Sequence, residues 1–64
     1  MSYIFLYDER YGYFESIHNG YTHHINNFHQ AANYKYLDEA MDMMAYLNRR
    51  YDKDYHIEVF TVEG

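Results

Sequence analysis

Residues 37–62 read LDEAMDMMAYLNRRYDKDYHIEVFTV, and within them the apolar spacing changes from helical to alternating. Leu37, Ala40, Met41, Met44, Leu47, Asn48 and Tyr51 recur at helical spacing, so the chain is predicted helical from Leu37 to Tyr51. Asp38 and Glu39 in the first turn and Arg49 and Arg50 in the last suit the helix macrodipole. Tyr36 stands where a capping Ser, Thr, Asp or Asn is usual, so Asn33 is the expected alternative boundary. Residues 51–54, Tyr-Asp-Lys-Asp, stop the helix without glycine or proline. Tyr55 to Val62 then alternates cleanly as a last strand.

Upstream, Ser2 to Tyr7 is rich in β-branched and aromatic residues and reads as a strand. Ile4 and Leu6 share one face and Tyr3, Phe5 and Tyr7 the other. Both faces are apolar, which predicts a central strand. Asp8 to Gly12 is a polar loop of hairpin length, with Gly12 available for positive φ. Tyr13 to His18 is the second strand. Asn19-Gly20 is the strongest short hairpin signal, since a type I′ turn needs positive φ at both positions. Tyr21 to Ile25 follows as a short, polar edge strand. Phe28 to Asn33 is expected to form a helical turn with Phe28, Ala31 and Ala32 facing inward.

The resulting order is β-β-β-α-β: an α+β fold with one helix on one face of a mostly antiparallel sheet. A right-handed crossing of the helix would set the last strand beside the first. Which sheet face the helix covers stays open at this stage.

Sixty-four residues allow one domain, 1–64. So short a chain buries only about 60% of the surface its unfolded form exposes. Its core is therefore marginal, and with no cysteine for disulfides, self-association is one remedy. No basic leader precedes an apolar run, and nothing approaches the roughly 20 apolar residues of a membrane span. The expectation is a soluble, cytoplasmic protein without a membrane partner. An initial Met1 and a plain Gly64 read as a complete reading frame.

The net charge is −5 and ten residues are tyrosine, with no tryptophan or proline. The sign opposes non-specific contact with phosphate backbones, which makes nucleic acid an unlikely partner class. Tyrosine supplies broad contact area with a polar tip. A two-layer fold would leave Tyr3, Phe5, Tyr7 and Tyr13, with Ile17, Phe60 and Val62, on an open face, as a partner surface or a homodimer contact. Asp38 and Asp42 on one helix side would steer a basic partner or mimic spaced phosphates, together with Glu39 and the loop residues Asp8, Glu9, Asp52 and Asp54. Met43 and Tyr46, lying away from the core stripe, either add a contact beside them or mark a stripe that is merely wide.

Other chemistry has less to stand on. His18, His23, His24, His29 and His56 invite a zinc reading, but adjacent His23 and His24 point to opposite faces of a strand. No metal or other cofactor is expected. Ser2, Ser16, Thr22 and Thr61 sit in no nucleophile motif. Glu15 and Glu58, read as lying on neighbouring strands, could approach each other as an acid/base pair, though such residues are far more often solvated sheet positions. Catalysis is not expected. Two alternatives to protein binding remain: tyrosines that stack single-stranded nucleic acid, and an oligomer that sequesters a small anionic ligand through His24, Arg10 or Arg50.

Residues with AT-rich codons far outnumber those with GC-rich codons, which predicts an AT-rich genome. With the run from Leu37-Asp-Glu-Ala40 through Leu47-Asn48 to Tyr55-His-Ile-Glu-Val59, the chain resembles the small early proteins of bacteriophages that infect low-GC bacteria. Many of these bind and block a host enzyme or a defence system, CRISPR nucleases included. The resemblance implies a stoichiometric inhibitor of a host or defence protein, acting in the host cytoplasm.

Overall fold

A computed structural model describes residues 2–61, so Val62 lies outside the described residues. Strands β1 (Ser2–Asp8), β2 (Gly12–His18) and β3 (Tyr21–Ile25) precede a 3-10 turn (Phe28–Gln30), helix α1 (Leu37–Tyr51) and strand β4 (His56–Thr61). The sheet order is β3-β2-β1-β4 and each neighbouring pair is antiparallel. The fold is therefore α+β, with β4 beside β1 as the sequence suggests. The expected reason does not apply, however. The alternating directions set β3 and β4 antiparallel, so the handedness rule for parallel crossovers does not act on the helix between them. What places β1 centrally is its pair of apolar faces, while polar β3 suits an edge.

The helix covers the Ile4 and Leu6 face. Those residues form the core with Phe14, Ala40, Leu47 and Tyr55, and Met43, Met44, Tyr51 and Ile57 pack against it. Met43 thus belongs to a wider core stripe than its spacing suggested. Leu37 and Met41, expected in that stripe, stay half exposed at 51% and 49%. Tyr36 is the N-cap residue and makes no side-chain cap bond, so Asn33 does not set the boundary. At the other end Asp52 takes the left-handed conformation (φ 54°, ψ 48°), which aspartate adopts more readily than most residues.

β1 pairs with β4 along six residues but with β2 only at Tyr7↔Tyr13 and Asp8↔Gly12. Beyond these pairs the strands splay. Residues 31–34 fill the gap: the Ala32 amide donates to the Phe14 carbonyl at 3.1 Å and the Tyr34 amide to the Ile4 carbonyl at 2.9 Å. The small side chains of Ala31 and Ala32 let this backbone reach both strands. Ala31 and Ala32 do face inward, but Phe28 turns to the opposite sheet face, described below.

The β2–β3 hairpin therefore projects from the sheet as a two-stranded arm. Its turn has positive φ at Asn19 (53°) and Gly20 (80°). Every residue from Glu15 to Tyr21 is exposed. A β-bulge at Glu15 shifts the register between Phe14↔His24 and Ser16↔His23. The extra residue reverses the alternation, so Ile17 faces the helix side and not the tyrosine side. At the arm's base Gly12 (φ 104°) takes a backbone conformation that other residues rarely adopt, and a Cβ there would crowd the Ile25 carbonyl oxygen at 3.1 Å.

Candidate protein-binding surface

Strand alternation and register bring Tyr3, Phe5, Tyr7 and Tyr13 together on the sheet face away from the helix, with Phe60, Glu58 and His56 from β4. This face is not the open plane expected from the sequence. Phe28, carried by the 3-10 turn, lies over it and stacks on Phe60 at 4.7 Å. Phe5 meets Tyr13, Phe28 and Phe60 edge to face at 5.9, 5.6 and 5.5 Å, and is only 3% exposed. Phe5 is thus the floor of the site, reached by a partner only through the groove. Between the turn and the strand ends runs a groove of about 480 Å³, lined by Tyr3, Phe5, Phe28, Phe60, His29, Asn33 and Thr61.

The other half of the face is polar-rimmed. Tyr7 and Tyr13 lie ring to ring at 4.7 Å, and Tyr7 meets His56 at 5.5 Å. The Tyr13 hydroxyl donates to Glu58 Oε1 at 3.2 Å, and Glu58 Oε2 lies 3.4 Å from His56 Nε2. Burial, followed by the hydrogen bond to the Glu58 carboxylate, pushes the Tyr13 phenol above its ordinary value. Glu15 takes no part: β1 separates its strand from that of Glu58, so the two carboxylates form no pair.

The second expected contact lies elsewhere. Asp42, Met43 and Tyr46 line a shallower groove of about 430 Å³ with Tyr34 and Glu39. Asp38 sits exposed on the first helical turn, outside that groove. Because α1 lies on the Ile4 and Leu6 face, these residues and the aromatic groove are on opposite sides of the molecule. No single flat partner covers both. Screening over about 8–10 Å at ordinary salt also weakens steering by the helix carboxylates toward the far groove.

The histidines disperse. His18 and His23 share the tyrosine side of the arm with rings 5.8 Å apart, while His24 faces the helix side. His24 Nε2 is hydrogen-bonded to the Tyr55 hydroxyl, and its ring stacks on Tyr11 at 5.2 Å and on Tyr55 at 5.7 Å. Burial, then the nearby Lys53 ammonium, lowers its pKa, and burial pushes the Tyr55 phenol up to about 12. Arg10 and Lys53 both lie over the Tyr11 ring, at 5.3 and 4.3 Å. His24 and Arg10 thus both make intramolecular contacts, Arg10 with its side chain still 61% exposed. No three metal-ligating side chains converge among the described residues.

Two residues of this architecture had no clear sequence signal. Asp8, read as a loop carboxylate, is 1% exposed. It accepts the amides of Arg10 at 2.8 Å and Asp54 at 2.9 Å, with Arg10 Nε 3.5 Å away. Phe28 was expected in the core and instead walls the groove. Its only sequence signal is a lone large aromatic in a polar stretch.

Among the described residues no helix is long and apolar enough to cross a membrane. In comparisons with known proteins no family model matches this chain, and neither a curated protein nor a solved structure matches it.

Proposed function

We propose that this chain is a small inhibitor or modulator of the bacteriophage type, which binds a host or defence protein stoichiometrically and performs no catalysis. The aromatic groove is its contact surface. The observation that carries this reading is the arrangement of Phe5, Phe28 and Phe60. Ring-on-ring packing holds them as a preformed wall beside Tyr3, with the polar Tyr7, Tyr13, Glu58 and His56 around it. An aromatic centre with a hydrogen-bonding rim is the anatomy of protein-binding hot spots. A preformed wall also spares the ordering cost of association. The groove's lining holds no Lys or Arg, so it lacks the cationic track that single-stranded nucleic acid needs beside stacking rings.

The test is capture with the tagged full chain, comparing the unaltered protein with a Tyr3→Ser, Tyr7→Ser variant whose circular dichroism is native. The reading expects one stoichiometric host protein on the unaltered chain and its loss on the variant. Equal capture by both removes the groove as the contact surface.

A further inference from the structure

β4 is an edge strand whose outer side carries no neighbour among the described residues. It is six residues long, pairs with β1 without a bulge, and contains no Lys, Arg or Pro. Natural sheets usually blunt an open edge with such devices, and β4 has only the single charge of Glu58. The helix adds a second open surface on the same side. Asn48 exchanges hydrogen bonds with the Tyr55 backbone at the foot of β4: its side chain donates to the carbonyl at 3.1 Å and accepts from the amide at 2.7 Å. That flank of α1 therefore lies toward β4. Met44, Met41 and Leu37 fall on the same flank at helical spacing, and none of them is charged. Leu37 and Met41 are half exposed there, and Val59 of β4, on the same side of the sheet, is 53% exposed.

We infer that β4 pairs antiparallel with β4 of a second copy about a two-fold axis. The two sheets join into one of eight strands, and the Leu37 and Met41 flanks of the two helices meet above it. A strand is the natural occupant of the edge, because a row of open amides and carbonyls takes an extended backbone. A second copy fits best because the flanking apolar residues are self-complementary about that axis. Glu58 constrains the register. Pairing Glu58 with its own mate would oppose two carboxylates. Centring the axis on Ile57 instead sets each copy's His56 opposite the other copy's Glu58. Self-association of this kind also covers the two helix positions that the apolar pattern assigns to a core and the single chain leaves half exposed. The interface shares His56 and Glu58 with the rim of the aromatic groove, but its helix flank, Leu37 and Met41, lies on the other sheet face, so the oligomeric state is read without any host partner.

Light scattering on the full chain tests this. The expected mass is twice the 7.9 kDa of one chain. A Leu37→Glu, Met41→Glu variant is expected to read as a single chain with native circular dichroism, since both positions are half exposed and glutamate supports helix. A single-chain mass for the unaltered protein across the accessible concentration range overturns the inference, as does a doubled mass for the folded variant. The register has its own readout, because the chain has no cysteine. A mixture of His56→Cys and Glu58→Cys chains is expected to oxidise to the mixed disulfide, directly opposed strand positions being within bridging distance. Glu58→Cys alone forming the main cross-linked product overturns the register.

Discussion

The buried carboxylate of Asp8 receives the amide of Asp54 at 2.9 Å, tying the turn after β1 to the segment that leads from the helix into β4. The two residues are 46 apart in sequence, yet this bond closes one end of the fold.

Replacing Asp8 is therefore expected to be costly. Asp8→Ala strands the amides of Arg10 and Asp54, and loss of such charge-assisted bonds costs on the order of 3 kcal/mol. Burial by itself would raise the Asp8 pKa, but the two amides and the Arg10 guanidinium outweigh it and hold the carboxyl below the ordinary range. A lowered folded pKa stabilises the fold above the unfolded value of about 3.9 and is lost as pH falls through the folded value. Urea unfolding as a function of pH should show this acid limb, and Asp8→Asn should flatten it. An unchanged limb would assign acid sensitivity to other groups.

His24 acts in a different window. Its pKa is lowered by burial and then by Lys53, so the folded state favours the neutral ring. Protons bind the unfolded chain first, and stability falls as pH drops below the ordinary histidine value of about 6.5. The urea midpoint is expected to decline as pH falls below the ordinary histidine value, and His24→Gln to remove that part of the decline. At pH 7, Tyr55→Phe should cost about 1 kcal/mol through the lost bond to His24.

Phe28 links stability to binding. Phe28→Ala uncovers Phe5 and removes the stacked partner of Phe60, at an expected cost of about 2 kcal/mol for a half-buried ring. The same variant should weaken capture of the partner protein, because the groove loses one wall. Full binding by a destabilised Phe28→Ala chain would separate the two roles and remove Phe28 from the surface.

The arm should behave as a separate unit. Only two residue pairs join β2 to β1, so opening the hairpin tip exposes little of the core. Amide exchange is expected to be fastest from Glu15 to His23 and slowest in β1 and the centre of α1. Gly20→Ala meets no atom within 4 Å, so its penalty is the backbone strain at φ 80° alone, about 1 kcal/mol. That penalty should appear as faster exchange in the arm with little change in the global midpoint.

The strongly periodic parts of this fold were legible in the sequence. Leu37 to Tyr51 announced itself by apolar spacing and terminal charges, and Asn19-Gly20 by the backbone angles only such residues adopt cheaply. The doubly apolar β1 implied a central strand. What escaped were features created by contacts distant in sequence. A one-residue bulge at Glu15 has no compositional mark, yet it moved Ile17 to the other face. Asp8 looks like any carboxylate after a strand until Asp54 arrives to bond it. The tyrosine-bearing face was identifiable from alternation in β1. Its cover, Phe28, was not, because a single 3-10 turn, placed by the backbone bonds that the following residues Ala32 and Tyr34 make to two strands, leaves no periodic trace.

Residues 31–34 take the place beside β1 that β2 gives up, and this frees the hairpin tip from the duty of closing the sheet. Chain length at Asn19-Gly20 is then nearly independent of the fold's integrity. Insertions there can be tried as one tries loop lengths in an antibody, with the remaining strands and the helix as the constant frame. The tip is the natural point at which to graft a foreign peptide, and the place where lineages of such a protein can diverge fastest without unfolding it.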